Sequence, residues 1–181
     1  MSSSGIVQWG GLAATTGGVL WVVKGVGILL TGEQLPLVFE AAMLLFALGL
    51  LGLNARLGGR ASSLEKVGAL VAYVSVVSAV VAIVAPLTPF IAVAGFGPLL
   101  GLVLLGIATL QTRIFPPPWS ILPLVMGLGT PILILAGGLL ATINERLLEI
   151  PIVLVGLAWM LLGYSVLVVK SATVEQPASV R

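Results

Sequence analysis

The feature that most constrains this chain is a series of six apolar stretches, each about as long as a membrane-spanning helix. A helix needs about 20 mainly apolar residues to cross a bilayer, whereas a membrane β-strand shows about ten residues of alternating polarity. The stretches cover residues 7–30, 35–53, 66–85, 90–110, 119–140 and 150–169. The sequence therefore predicts an all-α fold: a polytopic integral membrane protein built as a bundle of six transmembrane helices with short loops.

The domain organisation follows from how evenly the apolar residues are distributed. They make up 59% of the chain, against about 45–50% in a soluble domain, and the excess runs through the whole length. We predict one transmembrane domain over residues 1–170 and a polar cytoplasmic tail over residues 171–181. The first segment lacks a basic start and is as long as a full span, so a cleaved signal peptide is not expected.

The residue types that are absent exclude several kinds of chemistry. The chain has no Cys, no His and no Asp, so it cannot form a Cys/His zinc site, a Ser-His-Asp triad or an aspartyl dyad. No glycine-rich nucleotide-binding motif is present either. The net charge of +2 is too small to suggest nucleic acid. We therefore expect a protein that is not an enzyme and has no metal site and no cofactor.

The basic residues predict an orientation in the membrane. Cytoplasmic loops carry an excess of Lys and Arg. With six spans, one side of the membrane holds Arg56, Arg60, Lys66, Arg113, Lys170 and Arg181, whereas the opposite loops hold Arg146. This places both termini in the cytoplasm of a multi-pass protein of the plasma or inner membrane. A seventh span, or a re-entrant segment over residues 90–98, would change this count.

Two opposite charges lie within the first two apolar stretches. A charge at the centre of a bilayer costs about 2.5–3.5 kcal/mol on insertion scales, so it usually faces a partner or a cavity. Lys24 continues a row of small residues at a spacing of seven, and Glu40 lies at a similar depth in the next span. An ion pair between Lys24 and Glu40 is therefore geometrically possible. Three alternatives stay open: a structural lock of this hairpin, separate snorkelling of the two side chains, and a role in ligand or ion passage.

Two spans also contain proline flanked by glycine. Proline removes a helix hydrogen bond and clashes with the preceding turn, and glycine beside it favours a kink or local unwinding. The predicted helix breaks comprise Gly95, Gly97 and Pro98 in the fourth span and Gly127, Gly129 and Pro131 in the fifth. They are either simple packing kinks or functional breaks that expose backbone carbonyls to a ligand.

These features share a depth in the predicted topology. Trp21, Trp159 and Thr130 fall in the outer half or near the midplane, together with Lys24, Glu40 and both breaks. The sequence therefore predicts a polar pocket that opens to the outside.

Two functions fit this arrangement. The first is a small non-enzymatic membrane protein, either a structural component or a subunit of a larger membrane assembly. The alternative is a transporter or channel for ions or small solutes that uses the pocket. The expected partners are the lipid bilayer, other membrane subunits or further copies of the chain, and no nucleic acid.

Overall fold

Six helices form the protein in a computed structural model that describes residues 3–60, 63–85 and 87–168. The helices are α1 (Ser3–Thr31), α2 (Val38–Leu57), α3 (Ser63–Val84), α4 (Thr88–Thr112), α5 (Leu122–Ala141) and α6 (Glu149–Val168), and a 3₁₀ turn, Glu145–Leu148, precedes α6. No strand occurs in the described ranges. The predicted all-α bundle is therefore confirmed. The predicted tail, residues 171–181, lies outside the described residues.

All six helices are long and apolar enough to cross a membrane. Each corresponds to one predicted span, and the ends differ by about one turn or less, with α2 and α5 beginning later than the predicted spans. Six such helices indicate a multi-pass membrane protein. The fourth span is one helix of 25 residues, which does not fit a re-entrant segment over residues 90–98.

Helix α1 packs along its length against two helices, α2 and α6. Helix α4 contacts α2, α3 and α5, and α5 closes the bundle by packing against α6. The first and last helices of the described chain are therefore direct neighbours. This contact joins the first helix of the described chain to the last one, and it determines the environment of Lys24.

The glycines of α1 explain how closely its neighbours approach. Gly18 faces Gly156 of α6, and a methyl group on Gly18 would lie 2.5 Å from the carbonyl oxygen of Gly156. Seven residues away on both helices, Gly11 lies against Gly163. Because seven residues are close to two helical turns, these contacts recur along one face of each helix. The two helices therefore meet along their rows of glycine residues.

The second glycine row of α1 faces α2. Gly10 packs against Gly52 so closely that a methyl group on either residue would overlap the backbone of the other helix. Gly17 leaves room for the ring of Phe46. Small residues on both sides of α1 therefore allow two backbones to approach it, as is common in helix contacts within membranes.

The two proline-containing helices are continuous, so neither is unwound at its proline, and the simple kinks stay a prediction. Pro98 lies within α4 and Pro131 lies within α5. Each proline removes one backbone N–H, and the hydrogen bonds on either side of it can keep the helix intact. Gly97 and Gly127 instead accommodate neighbouring side chains, because methyl groups on them would meet atoms of α3 and α4 respectively.

Arg56 anchors the far end of α6. Its Nη1 donates a hydrogen bond of 2.7 Å to the carbonyl oxygen of Val166, and its guanidinium lies 5.4 Å from the centre of the Phe115 ring. Carbonyl groups in the last turn of a helix lack backbone donors, so a cation there is favourable. This contact joins α2 and α6 to the segment between α4 and α5.

Candidate functional site

Lys24 forms a buried ion pair with Glu149, not with Glu40. Its Nζ lies 3.3 Å from Oε2 and 3.5 Å from Oε1 of Glu149. The exposed fractions of the two residues are 8% and 4%. Glu40 is half-buried in the first turn of α2 and has no hydrogen bond or ion pair within the described ranges. The predicted partner was therefore wrong, and the lock joins α1 to α6 rather than α1 to α2.

The packing of α1 against α6 explains this choice of partner. Gly25, next to Lys24, belongs to the glycine row that faces α6, and a methyl group on it would lie 3.6 Å from Oε2 of Glu149. Glu149 is the first residue of α6. A carboxylate is favourable there because the N-terminal end of a helix carries partial positive charge. Lys24 and Glu149 therefore meet at the same level of two close helices.

A cavity of about 240 Å³ lies within the bundle. Five helices contribute to its wall: α1, α2, α4, α5 and α6. The residues that line it are Trp21, Phe39, Met43, Phe46, Ile91, Ala92, Gly95, Phe96, Pro98, Leu99, Thr130, Ile134, Val155 and Trp159. None of them carries a charge. The wall is therefore suited to an apolar molecule, in contrast to the polar pocket that the sequence predicted.

Three aromatic rings form a continuous stack in the wall of this cavity. Phe46 lies parallel to Trp159, with 4.2 Å between the ring centres and 12° between the planes. On its other side Phe46 meets Trp21 edge-on at 5.3 Å and 72°. The edge-on pair lies within the range of about 4.5–7 Å that aromatic pairs prefer, and the parallel pair is slightly closer than that range. The stack joins α1, α2 and α6 and presents a rigid surface to the cavity.

Thr130 brings a hydroxyl group to the otherwise aliphatic and aromatic wall. It is buried, with an exposed fraction of 4%, and lines the cavity. No hydrogen bond joins its hydroxyl to another described residue. The indole Nε1 of Trp21 is also buried without a hydrogen-bond partner in the described ranges. Buried polar groups are normally hydrogen-bonded. The wall of this cavity is therefore unusual, because two of its residues, Thr130 and Trp21, have polar groups without a hydrogen-bond partner in the described ranges.

The structure brings together part of the predicted site. The predicted residues that line the cavity are Trp21, Trp159, Thr130, Gly95 and Pro98. The predicted residues outside its lining are Lys24, Glu40, Gly97, Gly127, Gly129 and Pro131. Sequence reasoning missed the lining residues of α2, and above all Phe46, which lies between the two tryptophans. An apolar ring within an apolar span gives no signal that distinguishes a cavity wall from ordinary packing.

The cavity offers mainly apolar and aromatic surface. No group of three or more potential metal ligands occurs in the part of the chain that the structure describes. The buried ion pair of Lys24 and Glu149 lies outside the cavity lining. What the lining provides is apolar contact, aromatic faces and a hydroxyl group.

Comparison with known proteins gives no family for this chain. No family model, no curated protein and no solved structure matches it. The function proposed below therefore depends on the geometry of the cavity and its surroundings.

Proposed function

We propose that this protein is a non-enzymatic membrane component that binds a small apolar molecule from the bilayer. The observation that carries the proposal is the uncharged cavity of about 240 Å³. An engineered cavity of about 150 Å³ lined by Leu, Ile and Phe stays dry and binds benzene. The larger cavity here has the same kind of wall, which supports a ligand somewhat larger than a single benzene ring.

Entry from the bilayer is supported by the wall on the side of α4 and α5. Phe96 and Ile134 line the cavity and are also exposed, with exposed fractions of 71% and 42%. Helices α4 and α5 make their close contacts nearer to the α4–α5 connection than the cavity lies, where Gly106 meets Leu124. A movement of one exposed side chain would therefore open a path between lipid and cavity.

The proposal favours an apolar ligand over the transported ion or polar solute of the alternative function. A path for an ion needs charged or polar groups that replace its hydration shell. Lys24 is instead engaged by Glu149, and none of the lining residues is charged. The predicted role as a subunit of a larger membrane assembly stays a prediction. Co-purification of stable membrane partners, or of further copies, after mild detergent extraction would support it.

We also propose, from the distribution of basic residues, that the protein resides in the plasma or inner membrane with both termini in the cytoplasm. The bias of Lys and Arg toward the second and fourth loops supports this orientation. The cavity would then lie in the outer half of the bilayer.

Fluorescence quenching tests ligand binding directly because two of the four tryptophans line the cavity. Replacing Trp9 and Trp119 by Phe leaves Trp21 and Trp159 as reporters. Both reporters are buried, with exposed fractions of 7% and 1%. Bromocyclohexane, an apolar quencher, should therefore quench this protein in detergent micelles with a saturable dependence on concentration. Absence of saturable quenching would overturn the proposed function.

A matched pair of glycine variants locates the quencher. Gly95 lines the cavity, and a methyl group there would meet nothing within 4 Å. Gly129 has equally open surroundings but lies outside the cavity lining. We expect Gly95→Leu to fill the cavity and to weaken quenching at least about tenfold, whereas Gly129→Leu should retain it. Equal quenching in both variants would place the quencher elsewhere.

A further inference from the structure

The geometry points to a ligand with one oxygen atom: an uncharged, mainly hydrocarbon alcohol or ketone whose oxygen is bound by Thr130. This inference rests on the proposed function and adds the chemical class of the molecule. It depends on polar groups that the fold brings to an apolar cavity and leaves unused.

The hydroxyl of Thr130 differs from the three fully buried hydroxyls of the described helices in having no hydrogen bond to its own helix. Those of Ser75, Thr109 and Ser165 are fully buried, and each donates a hydrogen bond of 2.7 Å to a carbonyl oxygen of its own helix. Thr130 lines the cavity, and its hydroxyl has no such bond to any described residue. A threonine hydroxyl can donate one hydrogen bond and accept two. It is therefore available to an oxygen atom inside the cavity.

The same turn of α5 also contains an unused acceptor. Pro131 follows Thr130 within the helix, and proline has no N–H to donate to the carbonyl four residues earlier. The carbonyl oxygen of Gly127 therefore lacks its usual donor. A bound alcohol could accept from the hydroxyl of Thr130 and donate to a backbone oxygen of this turn, whereas a ketone could only accept.

The other lining residues indicate the charge, shape and size of the ligand. None of the lining residues can neutralise a charge, and an unpaired charge in an apolar site is strongly unfavourable. The rings of Phe46 and Trp159 offer an aromatic face to the hydrocarbon part. The volume limits that part to about one or two small rings or a short branched chain.

Two matched probes test this inference: bromocyclohexane and 4-bromocyclohexanol, which differ by one hydroxyl group. Both are titrated against the protein that retains Trp21 and Trp159, with each probe concentration corrected for partition into the micelle. We expect the alcohol to bind about fivefold to tenfold more tightly than the hydrocarbon, as one hydrogen bond at a buried site would give. Thr130→Val should remove this preference while the hydrocarbon still binds, and Thr130→Ser should keep it.

The outcomes separate the inference from the proposed function. Saturable quenching by both probes with equal affinity would overturn the inference and leave the proposed function intact. Saturable quenching by neither probe would overturn both. A preference that survives in folded Thr130→Val would also overturn the inference, because Thr130 would not bind the oxygen. If Thr130→Val does not fold, the preference in the parent protein and in Thr130→Ser decides the question.

Discussion

Lys24 and Glu149 are separated by 125 residues in the chain, yet they form a buried ion pair that joins the first helix to the last described one. The amino group of Lys24 lies within 3.5 Å of both carboxylate oxygens. The pair lies at the end of the bundle where α1 ends and α6 begins. Each charge is therefore tolerated within an apolar helix contact because the other is present.

Glu149→Gln should strongly destabilise the protein. The substitution leaves the ammonium group of Lys24 buried without a counter-charge, and breaking a buried pair in this way costs about 3–5 kcal/mol. The free energy of unfolding in mixed micelles, followed by circular dichroism, measures this loss. Glu40→Gln is the matched control, since Glu40 has no partner within the described ranges, and we expect a change within about 0.5 kcal/mol.

The double variant Lys24→Met with Glu149→Leu should recover most of the stability lost in Glu149→Gln. Replacing both partners of a buried pair by apolar groups is often neutral or stabilising. A double variant as unstable as Glu149→Gln would show that the charges are needed for more than their mutual neutralisation. A larger loss in Glu40→Gln than in Glu149→Gln would contradict the pairing itself.

Gly18→Ala should destabilise the contact between α1 and α6. The added methyl group would lie 2.5 Å from the carbonyl oxygen of Gly156, so the two backbones must move apart. Overpacking of this kind costs about 1–3 kcal/mol. Gly27→Ala, in the same helix, meets nothing within 4 Å and should be neutral or stabilising by up to about 1 kcal/mol, because alanine favours helix.

The same unfolding assay compares these two glycine variants. We expect Gly18→Ala to lower the free energy of unfolding and Gly27→Ala to leave it unchanged or raise it. This difference separates the effect of packing from that of helix propensity. Equal changes in stability would show that α1 and α6 can separate at little cost, contrary to the close approach described above.

Single-cysteine labelling should establish the orientation in the membrane. The chain has no cysteine of its own, so each introduced thiol is the only target. Ser63 and Ile143 are both exposed and lie at opposite ends of the bundle. In intact cells or right-side-out vesicles, an impermeant maleimide should label Ile143→Cys, and Ser63→Cys should react only after lysis.

The reverse labelling pattern would place the termini outside and the cavity in the inner half of the bilayer. Labelling of both positions before lysis would contradict the three membrane spans, α3, α4 and α5, that separate residue 63 from residue 143. Neither result would change the internal contacts of the bundle, because these do not depend on which side faces the cytoplasm.

Part of the ion pair could have been predicted from the sequence. Gly156 and Gly163 are spaced by seven, and the same spacing continues back to Glu149. Helix α1 carries the mirrored series with Gly11, Gly18 and Gly25. Two antiparallel helices with such series would place Glu149 opposite Gly25, and so beside Lys24. The prediction chose Glu40 because helices joined by a short loop are usually neighbours, and the repeat in α6 was read as packing alone.

The sequence by itself determined the number of helices and their approximate ends, because about 20 apolar residues are needed to cross a bilayer. It also identified the glycine rows, since a spacing of seven places small residues on one face of a helix. Only the tertiary structure decided which helix each row meets, which acid pairs with Lys24, and that the wall around Thr130 is apolar. These properties depend on side chains from helices that are distant in sequence, and uniformly apolar spans contain little information about which faces meet.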